Sequence, residues 1–207
     1  MSQKRGGKRK YRSFALIFYL FFYYYFDLIY LGFALLIFSI ISSFVVVIFL
    51  VCPCFSFARK TPTNYILLFL FTACEGYMVS YSCAVTEKSI VLMAAAMTLG
   101  VTVSLTIYAY TTKQDFTMMG GILFVISAVF FMFGFFLLFT NIYFLHVIYS
   151  ALGVILYGVY LIYDTQLILG GKHQELSIDD YIVGALMLYL DIIMIFLYIL
   201  DLFSRKD

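Results

Sequence analysis

Long apolar segments place the strongest constraint on how this chain folds. The 207-residue chain is 65% hydrophobic and only 12% charged, and its polar residues cluster in short groups between apolar runs. A helix needs ~20 mostly apolar residues to cross the hydrocarbon core of a bilayer. A soluble domain of this length cannot bury so much apolar surface. The sequence therefore predicts an all-α integral membrane protein that crosses the bilayer several times.

The polar groups divide the chain into seven predicted membrane spans, which cover residues 13–30, 31–52, 64–85, 89–111, 118–140, 143–169 and 178–203. We expect residues 1–12 to form a basic cytoplasmic N-terminus and residues 13–207 to form one seven-helix membrane domain. The first span resembles the apolar region of a signal peptide, but no small-residue cleavage site follows it. We therefore expect this span to be retained.

The basic residues predict how the spans are oriented. With a cytoplasmic N-terminus and seven spans, ten of the thirteen Lys and Arg residues fall on the cytoplasmic side. This distribution satisfies the positive-inside rule. It predicts a multi-pass protein whose N-terminus is inside and whose C-terminus is outside.

Three acidic residues, Glu75, Asp164 and Asp191, fall well inside predicted spans. A charge at the bilayer centre costs at least ~2.5–3.5 kcal/mol on insertion scales, so each must be paired, protonated or exposed to water. Asp201 is close to the end of the last span, where we expect it to be interfacial.

Asp164 and Asp191 lie on consecutive, antiparallel spans. The segment 177–180 has the Ser-x-x-acid pattern of a capping box, with Asp in place of the usual Glu or Gln, and predicts that the last helix begins there. The two carboxylates then reach the same depth only if the preceding helix continues through Gly170 and Gly171. The sequence therefore predicts that the two carboxyl groups meet if the preceding helix continues through the glycines.

Two carboxylates within hydrogen-bonding reach in a low dielectric cannot both ionise cheaply, so they share one proton. Such a pair is suited to sensing pH, and its anionic form attracts Ca²⁺, which prefers carboxylate oxygens. In the alternative arrangement, each aspartate separately bonds a tyrosine or a backbone group. Glu75 has two alternatives: it lines the same cavity, or it bonds Thr72, Ser80 or a neighbouring helix.

These residues carry a resemblance to a known family. The segments "YDTQLILGGKH" and "YIVGALMLYLDIIMIFLYIL" resemble the C-terminal signature of the Lifeguard branch of the transmembrane Bax-inhibitor-motif family. Further similarity lies in "RKTPTNYILLFLFTACEGYMV" and "LMAAAMTLGVTVSLTIYAYTTKQDFTMMGG". The resemblance covers the chain from about residue 51 to its C-terminus and implies a seven-helix bundle whose last helix is central.

The resemblance also implies a function and site residues. It implies a calcium leak across an internal membrane, such as the endoplasmic reticulum or Golgi, or across the plasma membrane, together with suppression of cell death. The family's pH-sensing pair falls on Asp164 and Asp191, which would hold calcium transiently. A basic residue that latches one of these aspartates falls on Arg59, with Lys60 beside it.

The working hypothesis is a pH-sensitive calcium leak channel with calcium as the permeant ion. One alternative is a non-conducting membrane adaptor that binds apoptosis regulators, and its partners would dock largely through the membrane faces. Another is an intramembrane aspartyl protease, but the sequence around Asp191 lacks the Gly-x-Gly-Asp motif of presenilin-like proteases.

No phosphate loop, zinc cluster or nucleophile–base pattern occurs in the sequence. We therefore expect no enzymatic activity, no cofactor and no nucleic-acid partner; the expected partners are membrane lipids and calcium.

Overall fold

A computed structural model describes residues 30–50, 60–170, 175–177 and 180–205 of the chain. The described residues form helices and connecting turns. The helices are α1 (Tyr30–Leu50), α2 (Thr63–Ala84), α3 (Lys88–Thr111), α4 (Gly120–Leu137), α5 (Tyr143–Leu169) and α6 (Tyr181–Ser204), and a short 3₁₀ helix (Phe116–Met119) precedes α4. All six α-helices, α4 together with this 3₁₀ turn, are long and apolar enough to cross a membrane.

These six helices match the second to seventh predicted spans, with ends that differ by at most three residues. The all-helical membrane architecture is therefore confirmed for the described part of the chain. The first predicted span, residues 13–30, lies almost entirely outside the described residues, so the count of seven stays a prediction.

Two apolar clusters hold the described helices together, and α6 contributes to both. In one cluster, Ile195 of α6 packs with Ala94 of α3 and Leu161 of α5. In the other, Leu186 of α6 packs with residues of α1 and α2, including Phe71. Because α6 joins both clusters, it lies between the α1–α2 pair and the α3–α5 pair. Much of the remaining apolar surface faces outward, as expected for helices surrounded by lipid.

Three contacts define the antiparallel register of α5 and α6. The hydroxyl of Ser150 donates to Oδ2 of Asp201 at 2.5 Å. Farther along, Gly153 lies against the ring of Tyr198, and Ile168 lies beside Gly184. Each step forward along α5 is matched by an equal step backward along α6. This register places Asp191 level with a position about one turn, or ~5 Å, from Asp164 on α5.

The condition attached to the predicted pairing, that α5 continues through the glycine pair, is not met, and the helix ends where the predicted span ends. The helix ends at Leu169, and Gly170 adopts a left-handed φ of +85° as its C-cap. Glycine takes this conformation without the steric cost that a Cβ would add, so it is a common helix terminator. Beyond the end of the helix, the amide of Leu176 donates to the carbonyl of Leu167 at 3.0 Å.

The last helix begins at Tyr181, three residues after the predicted start at residue 178. The amide of Asp180, the N-cap residue of α6, donates to the carbonyl of Ser177 at 2.9 Å. The later start shortens the distance from the beginning of the helix to Asp191. The two aspartates therefore approach one depth although α5 stops at the glycine.

The contact between Gly153 and Tyr198 gives the first testable prediction. A Cβ added at Gly153 would lie 2.6 Å from the Tyr198 ring, which is itself stacked on Tyr157. We expect Gly153→Ala to destabilise the α5–α6 contact by about 1–3 kcal/mol, the usual cost of overpacking a tight core. Thermal unfolding in detergent, followed by circular dichroism, measures the loss as a lower Tm. Gly100→Ala is the control, because no atom lies within 4 Å of the Cβ it would add. An equal Tm for both variants would contradict the proposed close packing.

Candidate functional site

The carboxyl groups of Asp164 and Asp191 meet inside the bundle. Each residue is only 4% exposed. The side chains hydrogen-bond each other. Within the described part of the chain, Oδ1 of Asp164 and Oδ2 of Asp191 receive no hydrogen bond from a hydroxyl, amide or ammonium group. The arrangement is thus a carboxyl–carboxyl pair, in contrast to the alternative in which each aspartate has its own tyrosine or backbone partner.

Helix geometry explains how the pair spans the offset of about one turn between its two positions. Side chains on an α-helix tilt toward the helix N-terminus. In this antiparallel pair, that tilt carries the carboxyl of Asp164 toward the level of Asp191 and carries the carboxyl of Asp191 toward Asp164. The register set by the Ser150–Asp201 and Gly153–Tyr198 contacts therefore brings the two groups together without distorting either helix.

The pair opens into a cavity of about 470 Å³ between α1, α2, α4, α5 and α6, which we call the carboxylate cavity. Glu75, also 4% exposed, lines the same space and lies next to Ser43. The remaining polar wall consists of hydroxyl groups from Ser127, Tyr157 and Tyr160. Among the described residues, no three His, Cys, Asp or Glu side chains are close enough to hold one metal ion together. Glu75 therefore shares the cavity with the pair without completing a three-carboxylate site.

Of the two candidate latch residues, Lys60 does not line this cavity. Arg59 lies outside the described residues. Lys60 is exposed just before α2, where its carbonyl accepts from the amide of Asn64 at 3.1 Å. Their assignment as a latch stays a prediction.

Gln166, two residues after Asp164, makes a contact that sequence reasoning missed. Its Nε2 donates to the carbonyls of Gln114 and Ala109 at 3.0 and 3.3 Å, and its Oε1 accepts from the amide of Phe116 at 2.7 Å. The buried amide thus fastens the α3–α4 connection to the helix that carries Asp164. Only the unusual presence of Gln within a buried apolar helix hinted at this contact, because its partners lie about fifty residues away in sequence.

A second polar cluster lies at the opposite end of α6. Asp201 accepts the hydrogen bond from Ser150, and its carboxylate forms an ion pair with Arg205, with an N–O distance of 2.9 Å. About a third of each charged side chain is exposed. This position agrees with the interfacial location predicted for Asp201.

These features define the class of protein: a multi-pass helical membrane protein with a buried carboxyl pair on two antiparallel helices. Comparison with known proteins identifies the family. The family model described as "Inhibitor of apoptosis-promoting Bax1" matches residues 11–207. The chain belongs to this Bax-inhibitor family, which confirms the resemblance noted in its sequence.

Individual relatives carry the Lifeguard name. Protein lifeguard 3 of Homo sapiens is 38% identical over 170 residues, which cover 80% of this chain and 55% of the human protein. Its namesake in Mus musculus is 39% identical over 153 residues, covering 72% of this chain and 50% of the mouse protein. Protein LIFEGUARD 4 of Arabidopsis thaliana is 34% identical over 180 residues, covering 85% of this chain and 70% of the plant protein. The chain thus spans about half the length of the two mammalian relatives.

The Gln166 contact predicts a specific loss of stability. Gln166→Leu keeps a similar side-chain volume but leaves an amide N–H and two carbonyls without their partner. Each buried polar group left unsatisfied costs about 1–3 kcal/mol, so we expect a clearly lower Tm in detergent. Gln114→Leu is the matched control, because the Gln114 side chain is exposed and only its backbone takes part. If the two variants unfold at the same temperature, the Gln166 hydrogen bonds do not stabilise the bundle.

Proposed function

We propose that this protein is a pH-sensitive calcium leak channel of an internal membrane. The observation that carries the proposal is a buried carboxyl pair that opens into a cavity with a third buried carboxyl. Ionisable groups within membrane spans are costly, and they usually mark ion or proton pathways. The carboxylate cavity is thus the part of the described bundle best suited to attract a cation.

The pair supplies a reason for pH sensitivity. A hydrogen bond between two carboxyl groups requires a proton on at least one of them, and with a single shared proton the pair carries one negative charge. Losing that proton places two like charges side by side in a low dielectric, where their repulsion is strong. A divalent cation relieves this repulsion, so protons and Ca²⁺ compete for the same two residues.

The geometry of the carboxyl pair favours passage of Ca²⁺ over its tight binding. Ca²⁺ takes six to eight oxygen ligands, whereas the two carboxyls provide at most four oxygens. The remaining ligands would be water, for which the 470 Å³ cavity has room, or oxygens of the cavity wall. A partly hydrated ion leaves more readily than one in a complete protein cage, and conduction requires such weak binding.

The family assignment adds a cellular role to the proposal. The matching family model is described as an inhibitor of apoptosis-promoting Bax1. A calcium leak from an internal store, such as the endoplasmic reticulum or Golgi, lowers the amount of calcium available for release during cell death. We propose that this chain suppresses cell death by that route.

Calcium flux from proteoliposomes tests the leak and its sensor. The wild-type protein should release Ca²⁺ at a rate that changes between pH 5 and pH 8. Asp164→Asn and Asp191→Asn should each abolish this pH dependence, because either change removes the shared proton. A pH dependence that persists in both variants would contradict the sensor.

Glu75→Gln is the matched control for this experiment. It also neutralises a buried carboxyl in the same cavity, but it leaves the pair intact. We expect this variant to keep the pH dependence and to lower the flux, because the cavity loses one attracting group. Loss of pH dependence in Glu75→Gln would show that the sensor extends beyond the pair.

Cell survival tests the proposed cellular role separately. Expression of the wild-type chain should increase survival after an inducer of intrinsic apoptosis, and Asp191→Asn should lose that protection if the leak is responsible. Calcium in the store, measured with a luminal indicator, should be lowered by the wild type and left higher by the variant. Equal protection by both proteins would favour the adaptor function over the leak.

A further inference from the structure

A second cavity lies beside the carboxylate cavity, at the end of the bundle where α6 finishes. It has a volume of about 610 Å³ and is lined by the ends of α2, α4, α5 and α6 together with the middle of α1. Its polar groups include His146, Asp201 and Arg205, whereas most of its wall is apolar. We call this space the outer cavity, after the predicted orientation of the chain.

Three apolar residues line both cavities: Ile40 of α1, Met78 of α2 and Met194 of α6. A residue that lines two neighbouring cavities belongs to the wall between them. Met78 follows Glu75 by one turn on α2, and Met194 follows Asp191 by one turn on α6, since three residues are about one helical turn. The wall is therefore one turn beyond the acidic residues, toward the outer cavity.

We propose that Ile40, Met78 and Met194 form an apolar barrier that closes the carboxylate cavity toward the outer cavity and opens to admit water and ions. An apolar constriction excludes ions by remaining dry, so its closure needs no charged latch. Methionine has three rotatable bonds and no branch, so its side chain can clear a passage by changing rotamer. The role of this barrier in ion passage rests on the proposed leak, but its role as a water barrier does not.

The composition of the barrier determines how it opens. Each of its three residues comes from a different helix, so a small displacement of α1 or α2 relative to α6 widens the gap. On the α6 side, Met194 is close to residues held by the α5–α6 contact, including Ile195, which is fully buried. The α1–α2 side joins α6 through the separate cluster of Phe71 and Leu186, and we take it as the side that moves.

Thiol accessibility tests the barrier without relying on ion flux. Ser43→Cys, with the four native cysteines replaced by alanine, places one thiol in the wall of the carboxylate cavity. A charged methanethiosulfonate reagent should modify this thiol slowly in proteoliposomes. Adding Met78→Ala and Met194→Ala should accelerate modification several-fold, as measured by the mass of the intact protein.

Met97→Ala combined with Met132→Ala is the matched control, because these two methionines are exposed on the outer faces of α3 and α4. The control should leave the modification rate unchanged. An equal rate in the barrier variant and this control, with both proteins folded by size-exclusion chromatography and circular dichroism, would overturn the barrier.

Calcium flux from the same variants, with Ser43 and the native cysteines restored, separates the barrier from the proposed function. If the barrier gates the leak, Met78→Ala with Met194→Ala should raise Ca²⁺ release several-fold and Met97→Ala with Met132→Ala should not. Wild-type flux with no increase in the barrier variant would overturn the gate and leave the leak standing. If no variant conducts while the thiol experiment shows faster modification, the leak fails and the water barrier stands.

Discussion

The antiparallel contact between α5 and α6 is the constraint on which the rest of the structure depends. A buried carboxyl group is tolerated only with a suitable partner, and here the partner is a second carboxyl on the neighbouring helix. That pairing works only in one register, because a shift of one residue along either helix rotates its carboxyl by about 100°. Ser150 with Asp201, and Gly153 with Tyr198, fix the register far from the pair itself.

Three polar contacts lie at different positions along α5 and have different roles. Near its start, Ser150 joins the Asp201–Arg205 ion pair at the partly exposed end of the bundle. Near its end, Gln166 fastens the α3–α4 connection. Asp164 lies close to Gln166 and, among Ser150, Gln166 and Asp164, is the one whose partner is also an acid. The first two contacts are fully satisfied and therefore stabilise the fold, whereas the acid pair keeps unsatisfied oxygens available for a proton or a cation.

The sequence predicted the six described helices well, because lipid imposes a length and a polarity that are visible residue by residue. It also predicted that Asp164 meets Asp191, but through a wrong premise. Counting from an assumed helix start at residue 178 placed Asp191 too deep to meet Asp164 unless α5 continued through the glycines, whereas α6 begins at Tyr181 and the tilt of the side chains spans the remaining turn. The Gln166 contacts were beyond prediction, because they join segments separated by about fifty positions. Local patterns thus predicted the elements, and long-range packing decided the register.

A pH sensor within a membrane has to satisfy two opposing requirements. The pair must be dry enough for two carboxyls to share one proton, yet protons and ions must reach it from water. An aqueous channel open at both ends would weaken the coupling, because a high dielectric reduces the repulsion between the two charges. A small cavity closed on one side by an apolar wall meets both requirements, since water enters only when that wall opens. In this bundle the proposed barrier includes Met78 and Met194, which line both cavities, so its opening would change how strongly the acids interact.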